Sequence, residues 1–183
     1  MNSPIILIHP GWQDSGPGHW QTLWLQKYKN AVKVEQHEWT RPMKEEWVKT
    51  LNTYNERYKE REILLVGHSL GCITISHWAA QYSRVSTAKI LGALLVSPGD
   101  IESHLDVEEL KNFAPLSLEP LPFKSIVVTS NNDFWVSSER GKYFAQRWGS
   151  QYIDIGPHGH ISSADGFGEW PEGEKLLAGL HPT

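Results

Sequence analysis

The sequence predicts a single-domain α/β fold, a doubly wound sheet of about six mostly parallel strands with helices on both faces. Three observations carry this expectation. Six short β-type runs alternate with helix-type segments along the chain. Most of those runs are apolar on consecutive residues, as parallel strands covered on both faces require. One of them, "ILLVGHSLGC" at 63–72, stops at a glycine–serine–glycine turn and passes straight into a helical segment.

The strand candidates are residues 5–9, 32–39, 63–66, 90–97, 125–130 and 152–155. Between the second and third, Trp47, Leu51, Tyr54 and Tyr58 recur at helical spacing behind Pro42, which marks one face of a helix. Residues 70–82 follow the glycine–serine turn as another helix. "SSERGKYFAQRWG" reads as a third, capped by Ser137 or Ser138 and stopped by Gly149. Alternating strands and helices with right-handed crossovers give a doubly wound parallel sheet. Residues 101–123, with Pro115, Pro120 and Pro122, are the one stretch resembling a linker, too short for a cap domain.

Composition narrows the function classes. A chain of 183 residues can bury a core without metals or disulfides. A net charge of −4 and a pI near 6.1 argue against an electrostatic nucleic-acid binder. "MNSPIILIHPG" has no basic residue ahead of its short apolar run, so no signal peptide is expected. The longest apolar run, 90–96, is too short to cross a bilayer, so no membrane association is expected. Cys72 is alone, so no intrachain disulfide can form, and a reducing cytoplasm is the expected compartment.

"GHSLG" fits G-x-S-x-G and stands where that motif works, after a buried strand and before a helix. A sharp turn there lifts the Ser69 hydroxyl out of the sheet, with Gly67 and Gly71 letting the backbone pack closely. The bland alternative is that Ser69 merely caps the helix behind it. A serine hydroxyl needs a base, and the base needs an orienting acid. Asp133 follows the fifth strand, and His158 and His160 follow the sixth, in the chain order serine, acid, histidine. Asp100 and Asp154 are the other acids near strand ends, but Asp133 is freer to turn towards a histidine on the neighbouring loop. His160 is preferred to His158 because it follows Gly159 and lies deeper in its loop. A metal pair at His158 and His160 lacks further ligands at regular spacing. An oxyanion hole would use the backbone amides of Leu70 and Trp12. Trp12, Gln13, Trp135 and Trp170 fall in loops near these positions and are candidate pocket walls.

Five stretches carry a wider resemblance: "HPGWQDSGPGHWQTLW", "VGHSLG", "SPGD", "PLPFKSIVVTSNND" and "GHISSADGFGEWPEG". The chain resembles the small single-domain serine hydrolases typified by retinoblastoma-binding protein nine, within the α/β-hydrolase superfamily. The resemblance implies a catalytic triad of Ser69, Asp133 and His160, with neither cap domain nor cofactor. Two departures stand out. Phe134 replaces the proline expected after the acid, and "LGCIT" lacks the glutamate of a retinoblastoma-binding motif, so no such partner is expected. The expected activity is hydrolysis of a small carboxylic ester or amide at an open, shallow site. The rival is a hydrolase-like scaffold that binds without turnover.

Overall fold

The apolar runs become neighbouring strands because each hides both of its faces. In a computed structural model, which describes residues 3–181, the strands are β1 (Ile5–His9), β2 (Ala31–Lys33), β3 (Glu62–His68), β4 (Lys89–Val96), β5 (Lys124–Thr129) and β6 (Gln151–Asp154). The helices are α1 (Trp20–Lys27), α2 (Lys44–Arg57), α3 (Leu70–Tyr82), α4 (Ser138–Trp148) and α5 (Pro171–Gly179). The sheet order is β2-β1-β3-β4-β5-β6, and every neighbouring pair is parallel.

Alternate strand residues feed two cores, as the period of two demands. Leu7, Leu65, Leu95 and Val127 pack with Trp47 and Leu51 of α2, Ile73 of α3 and Phe144 of α4. Ile8, Val66, Leu94 and Val128 pack on the other face with Trp20 and Trp24 of α1 and Leu177 of α5. The order in which strands are added reverses between β1 and β3, while the strands stay parallel, so their carboxyl ends border the crevice where such sheets take ligands.

α4 has the predicted ends: the Ser137 hydroxyl accepts from the Arg140 amide at 3.1 Å, and Gly149 is left-handed with φ 70°. The second strand is shorter than the sequence suggests. Beyond Lys33 the Val34 amide still reaches the Ile8 carbonyl at 2.8 Å, but the chain then leaves the sheet. Gln36 turns inward, donating to the ring Nε2 of His9 at 3.0 Å and to the Trp47 carbonyl at 3.2 Å. Side-chain bonds replace the ladder there.

The stretch 101–123 is not a loose linker. It carries 3-10 turns at Ile101–Ser103 and Glu108–Phe113 and buries Leu110, Phe113 and Leu116. Asn112 fastens it to the start of α2, accepting from the Lys44 amide at 2.7 Å and donating to the Pro42 carbonyl at 2.9 Å. Helices α1 and α5 lie where only motif residues and loops were read. The signals were there: Trp20 and Trp24 at helical spacing, and Pro171 at the first position of α5.

Candidate active site

β3 delivers Ser69 to the crevice in a conformation that non-glycine residues rarely adopt, φ 54° and ψ −121°. Such a strained turn persists only when its surroundings over-determine it. Here they do. A Cβ on Gly67 would come within 2.9 Å of the Cys72 amide nitrogen, and one on Gly71 would run into the carbonyl oxygens of His9 and Pro10. The Ser69 amide is tied to the Val96 carbonyl at 3.0 Å. Its side chain makes no cap for α3, which removes the bland reading of the serine.

Asp133 and His160 meet across the neighbouring loops after β5 and β6. His160 Nδ1 lies 2.9 Å from both Asp133 oxygens, so Nδ1 carries the proton and Nε2 is left as the basic nitrogen. The Asp133 side chain is 0% exposed and that of His160 is 18% exposed. Asp133 Oδ1 also accepts from the Trp135 amide at 2.8 Å, which sets the carboxylate plane. Ser69, His68 and His160 line one pocket. No hydrogen bond joins Ser69 to His160 among the described residues, and in unliganded sites that contact commonly tightens only with substrate bound.

The other acids are engaged elsewhere. Asp100, buried, takes the Arg140 guanidinium in two bonds of 2.7 and 2.8 Å and the Ser103 hydroxyl at 2.5 Å. That pair anchors the loop after β4 to α4, and the Asp100 amide donates to the Trp135 carbonyl at 2.9 Å. Asp154 accepts from the Gly156 amide at 2.8 Å. His158 lies outside the pocket, its ring edge-on to Phe167 at 5.5 Å.

The supporting groups around His160 were not legible as such in the sequence. Asn132 Oδ1 accepts from the Gly159 amide at 2.7 Å, and Asp165 Oδ2 accepts from the His160 amide at 3.0 Å. Gly159 is left-handed at φ 57°, and any Cβ there would strike the Asp165 carboxylate. The Ser162–Asp165 capping box was the available signal for this loop.

Two further histidines pack beside the pair. His68 Nε2 donates to the His160 carbonyl at 2.8 Å, and its ring centroid lies 4.8 Å from that of His160. His19 Nδ1 accepts from the Gln21 amide at 3.2 Å, leaving Nε2–H buried without a partner. Burial holds His19 down to about 4 and His68 well below its ordinary 6.5, with His160 nearby adding to both. Both are therefore neutral wall groups at physiological pH rather than bases.

Trp12 and Leu70 both line the pocket that Ser69 enters. The Trp12 amide makes no backbone bond among the described residues, whereas the Gln13 amide is committed to the Trp39 carbonyl at 3.0 Å. Gly11 brings the loop close: a Cβ there would lie 2.9 Å from Ser69 Cβ and 3.1 Å from the His68 carbonyl oxygen. The cavity measures about 270 Å³, and its walls include Trp12, Gln13, Trp135, Ile101 and Leu110 together with His19, Ser162 and Ser163. Trp170, expected in this wall, is absent from it. It is 4% exposed and packs between Trp20 and Trp24 in the core, because it caps α5 against α1 instead of reaching the crevice.

Among the described residues there is no group of three or more His, Cys, Asp or Glu side chains suited to a metal ion. No described helix is long and apolar enough to cross a membrane.

A search of curated proteins finds no match to the chain. Among solved structures, a YdeN-like hydrolase from Pectobacterium atrosepticum is 28% identical, with a TM-score of 0.82 over 96% of this chain and 89% of its own. The ydeN product of B. subtilis is 21% identical, with a TM-score of 0.78 over 99% and 100% of the two chains. Est1E from Butyrivibrio proteoclasticus shares the fold at 11% identity and a TM-score of 0.70, over 98% of this chain and 86% of its own. The family model for serine hydrolases matches residues 6–179, and the chain belongs to that family, an α/β hydrolase by fold.

Proposed function

We propose that this hydrolase transfers an acyl group from a small carboxylic ester or amide to water through an acyl-enzyme on Ser69. One observation carries the reading: the buried Asp133 carboxylate holds His160 Nδ1 at 2.9 Å, leaving its other nitrogen basic in the pocket that an uncapped Ser69 enters.

Ser69 Oγ attacks the carbonyl carbon while its proton passes to His160 Nε2. Asp133 stabilises the imidazolium through Nδ1–H and keeps the tautomer that leaves Nε2 basic. The carbonyl oxygen becomes an oxyanion between the amides of Leu70 and Trp12, and each such donor is worth roughly 3–4 kcal/mol to the transition state. Collapse expels the leaving oxygen or nitrogen, which takes the proton from Nε2. Water then attacks the acyl-enzyme, gives a proton to His160, and the acid departs as that proton returns to Ser69 Oγ. A cavity of about 270 Å³ lies just below the usual range for ligand pockets and suits a short acyl group better than a long lipid chain. The enzyme works in a reducing cytoplasm on this reading, in keeping with its one cysteine, Cys72, buried and free.

Intact-protein mass spectrometry after a fluorophosphonate tests it. One adduct on the wild type and none on Ser69→Ala is the expected result. An unlabelled, folded wild type would overturn the reading in favour of a binding scaffold.

A further inference from the structure

The acid loop forms one wall of the Ser69 pocket, through the half-buried Trp135. Trp135 stands in its wall, edge-on to Trp12 at 6.2 Å. Outward from Trp135 the next ring is His104 at 4.8 Å, and beyond it Phe134 lies 5.1 Å from His104. Phe134 also meets Trp135 directly, edge-on at 5.5 Å. An unbroken line of aromatic faces therefore leads from the Ser69 pocket to the surface. It ends on Phe134, 76% exposed, with Leu105, the chain neighbour of His104, 48% exposed.

A lone exposed apolar side chain needs no explanation. This one differs in place and in support. Phe134 directly follows Asp133, whose carboxylate is fixed on His160, so its backbone is held in register with the reacting atoms. Its neighbour Trp135 is pinned on both sides of its Cα, by the Asp133 carboxylate on its amide and by the Asp100 amide on its carbonyl. The rim is thus built on a rigid base. Glu102, in the same loop, is committed elsewhere: it accepts from Arg140 at 2.9 Å and from the Leu116 amide at 3.1 Å. A cavity of about 270 Å³ cannot enclose a substrate much larger than a short ester. A part of the substrate that projects past Trp135 would meet this rim, where edge-to-face contact with aromatic rings adds to simple burial.

We propose that Phe134 and His104 form an outer aromatic subsite that holds a planar apolar group, an aryl ring, on the part of the substrate projecting from the Ser69 pocket. This rests on the hydrolase reading above. The ring can come from the alcohol or from the acyl side of the ester, and the choice of esters separates the two.

The test compares 2-naphthyl acetate, ethyl 2-naphthylacetate and ethyl acetate on wild type, Phe134→Ser and Phe134→Tyr. Phe134→Ser lowers the ratio of kcat/KM for at least one naphthyl ester over ethyl acetate about ten-fold, mainly through KM, and Phe134→Tyr retains it. The ester whose ratio falls identifies the side that carries the ring. In the Ser69→Ala background, tryptophan fluorescence reads the Kd for 2-naphthyl acetate, or for ethyl 2-naphthylacetate if that ester responds. Adding Phe134→Ser weakens it about ten-fold. Ratios that move less than two-fold, or a tyrosine variant as poor as the serine one, overturn the subsite. If the fluorophosphonate labels Ser69 and the ratios do not move, the subsite falls while the hydrolase reading stands. If Ser69 is unlabelled and the Kd still depends on Phe134, the hydrolase reading falls while the aryl site stands.

Discussion

Mild acid should destabilise this protein steeply, starting above the pH at which its carboxylates titrate. His9, His19 and His68 are buried and neutral, and the hydrogen bonds around His9 suit only its neutral form. His9 Nδ1 donates to the Pro10 carbonyl at 2.9 Å while Nε2 accepts from Gln36 at 3.0 Å, so a second proton would meet an N–H donor. Burial holds His9 and His19 down to about 4, and His68 well below 6.5. Because the native values are depressed, the unfolded chain takes up protons first. Stability is full above pH 6.5 and is lost as pH falls towards 4. A fall from 6.5 to about 4 is worth about 3 kcal/mol per histidine, so His9 and His19 together carry about 6 kcal/mol. That is comparable with the whole stability of a typical domain, about 5–15 kcal/mol. With three such groups the slope approaches about 4 kcal/mol per pH unit. The carboxylates held low by lysine partners, Glu62 and Glu174, act in a separate window, below their ordinary 4.5. Urea unfolding followed by tryptophan fluorescence at pH 7.5, 6.5 and 5.5 is the assay. A steep loss of midpoint below pH 6.5 is expected, made shallower by about a third in His9→Asn. Equal midpoints at pH 7.5 and 5.5 would show that these histidines are not buried neutral, and the reasoning fails.

Three further outcomes are expected. Gly71→Ala places a methyl against the carbonyl oxygens of His9 and Pro10, which belong to backbone and cannot swing aside. It should cost about 3 kcal/mol or more in urea unfolding and reduce activity further by moving the Gly11–Trp12 loop; an unaltered midpoint would refute the close packing. Arg140→Leu strands the buried Asp100 carboxylate and should cost about 3–5 kcal/mol. Asp100→Asn combined with Arg140→Leu should recover part of that loss, and full additivity in thermal unfolding would rule out the pair. Ser69→Ala, His160→Ala and the double variant should lose kcat by the same large factor, since the residues act as one unit. A double variant much worse than either single would separate their roles.

What the sequence determined by itself is local and ordered along the chain. Consecutive apolar residues imply strands hidden on both faces, and five of the six parallel strands end within two residues of those read, while the second, read as 32–39, stops at Lys33. G-x-S-x-G after such a run implies a strand–turn–helix junction, and α3 begins at Leu70 directly behind Ser69. The order serine, acid, histidine placed Asp133 and His160 on adjacent loops because β5 and β6 are adjacent strands. Tertiary structure decided what depends on neighbours distant in sequence. Whether a tryptophan lines a pocket or fills a core depends on what it meets, and Trp170 meets α1 while Trp135 lines the Ser69 pocket. Whether an acid can serve a histidine depends on its other partners, and Arg140, 40 residues away, already holds Asp100. Residues 34–39 have the composition of a strand but leave the sheet, because the Gln36 side chain finds its bonds on His9 and Trp47. Local propensity sets which segment forms; the long-range hydrogen bond and the packed ring set where each side chain points.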